Sequence, residues 1–268
     1  MKTMDVTERW ENYRKANTNK PSARENELSK IFSLVNPQEG QRILEVGTGN
    51  GYLTFPLAEA VGNIGEVVTT DVNEGNINDA INKNKHKNLN VVPVLLSPAQ
   101  GFLVEDKYKN YFDVVTTIAT LHHFDNRLDK TGDSGRKNAL KHFYQNLKPN
   151  GRLIIADVLH GTISQKYFDA IDSPEHCHPL GHPHDFFDEN ELRNTVTAVG
   201  FRNVQIETAY VPWKFTSIDE AKNFVHTIHN AKCSPEESLA VAEKYLGLKE
   251  VDGHYELGWQ LFFLTAEK

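Results

Sequence analysis

Cysteine is scarce: the 268 residues contain only Cys177 and Cys233. Two cysteines without CxxC spacing exclude a disulfide framework and a dithiol redox motif, and they suit a reducing compartment. Long apolar runs are missing too. The longest is about six residues, against the ~20 needed to span a bilayer, and the opening "MKTMDVTERWENYRK" has no apolar signal-like region. The expectation is a soluble, cytoplasmic protein with no membrane partner. Positive charge is the next shortage, since 29 Lys and Arg face 36 Asp and Glu for a net charge of -7. No field attracts a phosphate backbone, and the densest basic stretch, "KNKHKN" at 83–88, reads as a solvated helix end. No nucleic-acid partner is expected. Internal repeats and low-complexity tracts are also absent.

What is present is enough hydrophobic material, 39% of the chain, for one large core. Strand-like runs at 42–46, 66–70, 91–96, 112–119 and 152–158 alternate with helical patterns at 53–61, 73–84 and 135–147. Strand and helix in alternation predict an α/β fold with a parallel sheet and helices on both faces. Two helical patterns precede the first strand. Downstream, 200–213 reads as a sixth strand and 258–267 as a seventh. Between them lie two further helices, the second opened by Ser234 with Glu237 at capping-box spacing and Pro235 at its first position, and stopped by Gly247. The expected organisation is a single domain: an N-terminal helical segment (1–35), a core (36–213), a helical insertion (214–257) and a closing strand (258–268).

The first strand runs into "EVGTGNG", which places Gly47, Gly49 and Gly51 between a strand and a helix. There the backbone must bend sharply and approach a ligand, which glycine permits. The spacing differs from the dinucleotide fingerprint G-x-G-x-x-G, because the third glycine falls one position early and Tyr52 takes its place. Together with Glu45 before the loop and Asp71 closing the second strand, it resembles the class I S-adenosylmethionine-dependent methyltransferases. "FDVVTTIATLHHF", "LKPNGRLIIADV" and "GWQLFFLTAEK" extend the resemblance towards small-molecule enzymes similar to the ubiquinone-biosynthesis C-methyltransferases. The resemblance implies a seven-stranded, mostly parallel Rossmann-like sheet with an antiparallel seventh strand, and S-adenosyl-L-methionine as cofactor. It implies that Glu45 lies near the methionine end, that Gly47, Thr48, Gly49 and Gly51 let the backbone approach, and that Asp71 takes the ribose hydroxyls, with Val72, Ser97 and Ala119 also in contact. Where the family carries an acidic residue after strand three, this chain reads "LLSPAQGF", which leaves Ser97 as the polar contact.

In an open parallel sheet, ligands bind outside the carboxyl ends of the strands. His122 and His123 emerge there after strand four and are the expected catalytic bases, His123 first; in an extended continuation only one would face the pocket. The loop "EHCHPLGHPHDFF" carries His176, His178, His182 and His184. Pro179, Gly181 and Pro183 break any helix that would align His178 with His182, so a pocket rim is expected and no metal site. His178, His182, Tyr13 and Trp213 are the expected substrate contacts, and the helical insertion the expected lid. The absence of an N/D-P-P-Y string, with "IATL" in its place, lowers base and amide substrates. Methyl transfer to an O, C or N atom of a small-molecule acceptor leads. Two alternatives stay open: non-methyl use of the cofactor, by cyclisation or aminocarboxypropyl transfer, and a non-catalytic cofactor- or metal-binding module built on the 176–184 loop. Oligomeric state is not legible.

Overall fold

A computed structural model describes residues 6–97, 105–124, 134–177 and 184–268. In chain order the elements are α1 (Val6–Asn19), α2 (Glu25–Val35), β1 (Arg42–Val46), α3 (Thr54–Val61), β2 (Glu66–Asp71), α4 (Glu74–Lys87), β3 (Val91–Leu95), β4 (Phe112–Ile118), α5 (Gly135–Asn146) and β5 (Leu147–Asp157). They continue as α6 (Ile163–Ile171), α7 (Glu189–Val199), β6 (Arg202–Tyr210), β7 (Trp213–Phe215), α8 (Ile218–Ile228), α9 (Pro235–Leu246), β8 (Leu248–Val251), β9 (His254–Leu257) and β10 (Gln260–Glu267). Helices α4 to α9 each start from a side-chain cap: Asn73, Ser134, Thr162, Asp188, Ser217 and Ser234. Ser234 and Glu237 form the expected capping box, and Gly247 closes α9.

The chain packs as two units. The sheet unit comprises 30–157, 187–208 and 262–268. Its strands belong to a seven-stranded sheet in the order β3-β2-β1-β4-β5-β10-β6. The pairs β1–β2, β1–β4, β2–β3 and β4–β5 are parallel, and β10 runs antiparallel to β5. Both faces of the central strands are covered: Ile43 to Val46 and Val114 to Ile118 are buried without interruption, the pattern of a sheet packed on two sides. The chain winds from β1 outward to β3, then returns to place β4 on the other side of β1. The carboxyl ends of β1 and β4 therefore flank the topological switch point, where such sheets open a crevice.

The helical unit comprises 1–29, 158–186 and 209–261. Residues 158–186, expected within the core segment, pack with this unit. The expected insertion contains α8 and α9 and also a three-stranded sheet, β7-β9-β8. Its hairpin turns on Asp252 and Gly253, both at positive φ (49° and 79°), which matches the twist of two antiparallel strands. The expected sixth strand at 200–213 is likewise interrupted after Tyr210, and β7 begins past Pro212.

Candidate cofactor and catalytic site

The loop after β1 is fastened to β2. The N–H groups of Gly47 and Thr48 both donate to the Thr70 carbonyl at 2.8 and 3.0 Å, and the hydroxyls of Thr48 and Thr69 meet at 2.7 Å. Gly47 sits at φ +94°, and a Cβ there would lie 2.2 Å from Thr120 Oγ1. Gly51 sits at φ +79°, and its Cβ would lie 2.7 Å from the Phe55 ring. Both glycines are required by close approach as well as by conformation. Lys83 of α4 donates to the Asn50 carbonyl at 2.7 Å and holds the tip of the loop.

Asp71 ends β2 and is 9% exposed. Its carboxylate accepts from the Gly49 N–H at 3.0 Å, the Asn73 N–H at 2.8 Å and the Asn76 side chain at 3.0 Å. A carboxylate offers about four acceptor sites, so these donors orient the group and leave acceptor capacity for a further hydroxyl. Exposed Val72 (38%) directly follows β2 and exposed Leu95 (50%) ends β3, and exposed Ser97 comes two residues later. Apolar side chains beside a carboxylate at strand ends suit a ligand that joins a flat ring to a polyol.

Glu45 is the unusual acid. It is 1% exposed, accepts from Thr69 Oγ1 at 2.7 Å and also from Thr54 Oγ1. Burial pushes its carboxyl from the usual 4.5 up to about 7; the Thr54 and Thr69 hydroxyls oppose the rise and the Asp71 charge adds to it.

Across the switch point, Ala119 follows β4 at φ +50°, a conformation that is costly for a residue with a Cβ. The bend leads into a 3-10 turn, Leu121–His123. The sequence-based expectation that His122 and His123 splay apart in extended chain is thereby corrected: within the turn their ring centroids are 4.1 Å apart. His122 Nδ1 lies 2.7 Å from Asp157 Oδ1, and the His122 backbone N–H donates to Asp157 Oδ2 at 3.1 Å. Asp157 ends β5 and is 1% exposed. A carboxylate at Nδ1 favours the tautomer with the proton there and the lone pair on Nε2. Asp157 was not among the expected site residues. Its signal was the same as that of Asp71, an acid closing a buried strand.

Among the expected substrate contacts, Tyr13 and Trp213 both lie in the helical unit and are joined by one ion pair. Arg24 donates to the Tyr13 hydroxyl at 2.6 Å and pairs with Glu27 at 2.7 Å, and Glu27 accepts from Trp213 Nε1 at 2.6 Å. His178 and His182 lie outside the described residues. Of the same loop, His176 Nδ1 lies 3.1 Å from both Ser173 Oγ and the Ala170 carbonyl, and His184 Nε2 lies 3.1 Å from Asp169. No group of three or more His, Cys, Asp or Glu suited to a metal ion occurs among the described residues.

The comparisons with known proteins agree with this geometry. A family model described as "Methyltransferase domain" matches residues 15–206. The ubiquinone/menaquinone biosynthesis C-methyltransferase of Burkholderia mallei (strain SAVP1) is 31% identical over 130 residues, 48% of each chain; the chain thus aligns with about half the length of the curated relatives it matches. A putative methyltransferase from Bacillus halodurans C-125 superposes with a TM-score of 0.60 at 15% identity, over 90% of this chain and 98% of that one. Phosphoethanolamine N-methyltransferase 2 of Haemonchus contortus, solved with phosphomonomethylethanolamine and S-adenosylhomocysteine, gives 0.60 at 17% identity, over 91% and 52%. With most of its length covered by the family model, and with the glycine loop, the terminal acid of β2 and the 3-2-1-4-5-10-6 sheet all in place, the chain belongs to the methyltransferase-domain family, in the class I group that uses S-adenosyl-L-methionine.

Proposed function

We propose that the chain transfers a methyl group from S-adenosyl-L-methionine to an O, C or N nucleophile of a small molecule. The observation that carries this reading is the clamp at the switch point, where the Asp71 carboxylate is bonded to the glycine loop through the Gly49 N–H at 3.0 Å. In this reading Asp71 binds the ribose, Val72, Leu95 and Ser97 border the adenine, and Gly47, Thr48, Gly49, Gly51 and Ala119 line the approach. Glu45 stands at the methionine end. When bound, the sulfonium cofactor supplies an activated methyl group, so the protein's task is chiefly alignment. His122, oriented by Asp157, takes a proton from the acceptor, and His123 stands beside it. This dyad supports His122 ahead of His123, and it suits phenols, enols and thiols better than alcohols.

The acceptor pocket is proposed to be lidded by the 214–257 insertion; the support is connectivity, since the insertion interrupts the chain between β6 and β10 of one sheet. A cytoplasmic enzyme with no nucleic-acid or membrane partner belongs to the same proposal. It is supported by the net charge of -7 and by a content of only two cysteines without CxxC spacing; no helix among the described residues is long and apolar enough to cross a membrane.

The test is incubation with cofactor labelled at the methyl group and a small-molecule extract of the source cells. Label in an extract component together with S-adenosylhomocysteine supports the proposal. Methylthioadenosine as the sole product points instead to cyclisation or aminocarboxypropyl transfer, and failure to bind S-adenosylhomocysteine by calorimetry would refute the site itself.

A further inference from the structure

A second group of chemically capable residues lies wholly inside the helical unit. Tyr167 and Phe168 come from α6, Asp172 follows its end, His229 follows α8, Trp259 lies between β9 and β10, and Arg9 is on α1. Tyr167, Asp172, His229 and Trp259 are 0 to 4% exposed, and the Arg9 side chain is 11% exposed. Arg9 Nη2 lies 3.5 Å from both oxygens of Asp172, and His229 Nδ1 lies 3.2 Å from one of them. The Tyr167 ring stands 5.1 Å from the His229 ring and 6.3 Å from that of Trp259, and Phe168 lies 5.3 and 5.7 Å from the same two.

This aromatic cluster contains four buried polar atoms without a partner: Arg9 Nη1, Tyr167 Oη, His229 Nε2 and Trp259 Nε1. Folded proteins rarely tolerate such atoms, and several in one cluster call for a ligand. Their chemistry restricts it. The Arg9 and Trp259 nitrogens are donors only, and the Asp172 carboxylate holds the Nδ1–H of His229, which turns Nε2 away from that ion pair. Burial pushes the Tyr167 hydroxyl well above its ordinary range, with the Asp172 and Cys233 charges adding to it, so it too remains a donor. A carboxylate, acceptor-only with about four lone-pair sites, answers the donors of Arg9, Tyr167 and Trp259. The surrounding rings favour a flat apolar body.

We propose that the helical unit holds a binding site for a small planar carboxylate, with Arg9, Tyr167 and Trp259 as its donors. The site is independent of the methyl-transfer proposal, because its binding is measured without cofactor and all its residues lie outside the sheet unit.

The test titrates the full chain with sodium benzoate at constant ionic strength, with benzamide as the uncharged control. Binding is followed by indole fluorescence, since Trp213 and Trp259 stack at 4.4 Å, and by melting temperature. Saturable binding of benzoate, about tenfold or more tighter than benzamide, is expected. Tyr167→Phe and Arg9→Gln should each weaken it by about tenfold or more, the scale of one lost hydrogen bond to a charged group. Circular dichroism checks the fold of each variant, and Arg9→Gln, on the more exposed partner, serves if Tyr167→Phe misfolds. The proposal is overturned by no saturable benzoate response, by equal binding of benzamide, or by affinity unchanged in both variants. It is overturned equally if Tyr167→Phe raises the melting temperature while benzoate affinity stays constant, which would mean that the hydroxyl meets only water.

Discussion

Glu45→Gln isolates the cost of placing a carboxyl group inside the first strand. The folded carboxyl titrates at about 7 against an ordinary value of 4.5, so between those two values the folded state keeps a proton that the unfolded state has released. Stability from this group is therefore fully present below about pH 4.5, falls as pH rises through the interval, and is level again above about 7. At roughly 1.4 kcal/mol per pH unit the loss amounts to about 3 kcal/mol. Glutamine reproduces the protonated acid in shape, and its carbonyl can accept both threonine hydroxyls that Glu45 Oε2 now takes. Its side chain does not ionise. Urea titrations followed by far-UV circular dichroism, run on both proteins from pH 5 to 8, should show near equality at pH 5 and the variant more stable by up to about 3 kcal/mol at pH 8. Taking the difference between the proteins cancels every other titrating group. A difference that stays flat across this range, or a variant less stable at pH 8, would refute the burial argument. The same pair tests the proposed place of Glu45 at the methionine end. A carboxylate facing the ammonium of S-adenosylhomocysteine must ionise to bind it, so wild-type affinity should fall by up to tenfold per pH unit below about 7, and the variant should bind weakly without that slope.

Gly47→Ala puts a methyl group 2.2 Å from Thr120 Oγ1 at φ +94°; a loss of about 1–3 kcal/mol in urea stability and of S-adenosylhomocysteine binding is expected, and an unchanged Kd would place the cofactor elsewhere. Asp71→Ala should weaken S-adenosylhomocysteine by about 1.5–3 kcal/mol, partly through release of the Gly49 and Asn73 N–H groups; equal affinity by calorimetry would remove Asp71 from the site. Asp157→Asn should shift the His122 imidazole towards the other tautomer, read from its ring nitrogen resonances, and lower kcat with little change in KM for the cofactor. Nitrogen resonances identical to wild type would show that Asp157 does not orient the ring.

How far the sequence carried these conclusions follows from the range of each interaction. The glycine loop, Asp71 and the strand runs were legible because they are local: a tight turn and a strand-ending acid leave their signal within a few residues. Asp252–Gly253 carried a local signal too, since an Asp-Gly pair between "LKEV" and "HYEL" suits a hairpin, but it was not read as one. The helical periodicity on one side of it drew the whole segment into the insertion. Strand order was not legible, since parallel pairing joins β1 to β4 across 71 positions, as in the Thr117–Val46 contact. Distance hid the partner of Trp213 in the same way. Its indole answers Glu27 across 186 positions, and a sequence pattern near either residue shows only an amphipathic helix and a short aromatic strand. His122 lies between these cases. The "LHH" string was visible, yet its turn depends on Ala119 taking a left-handed conformation and its orientation on Asp157, 35 positions away. Local pattern therefore marks which residues carry the chemistry, and non-local pairing decides which of them is aimed. That is why we propose His122 ahead of His123 as the base: a buried carboxylate grips His122 at both its ring and its backbone.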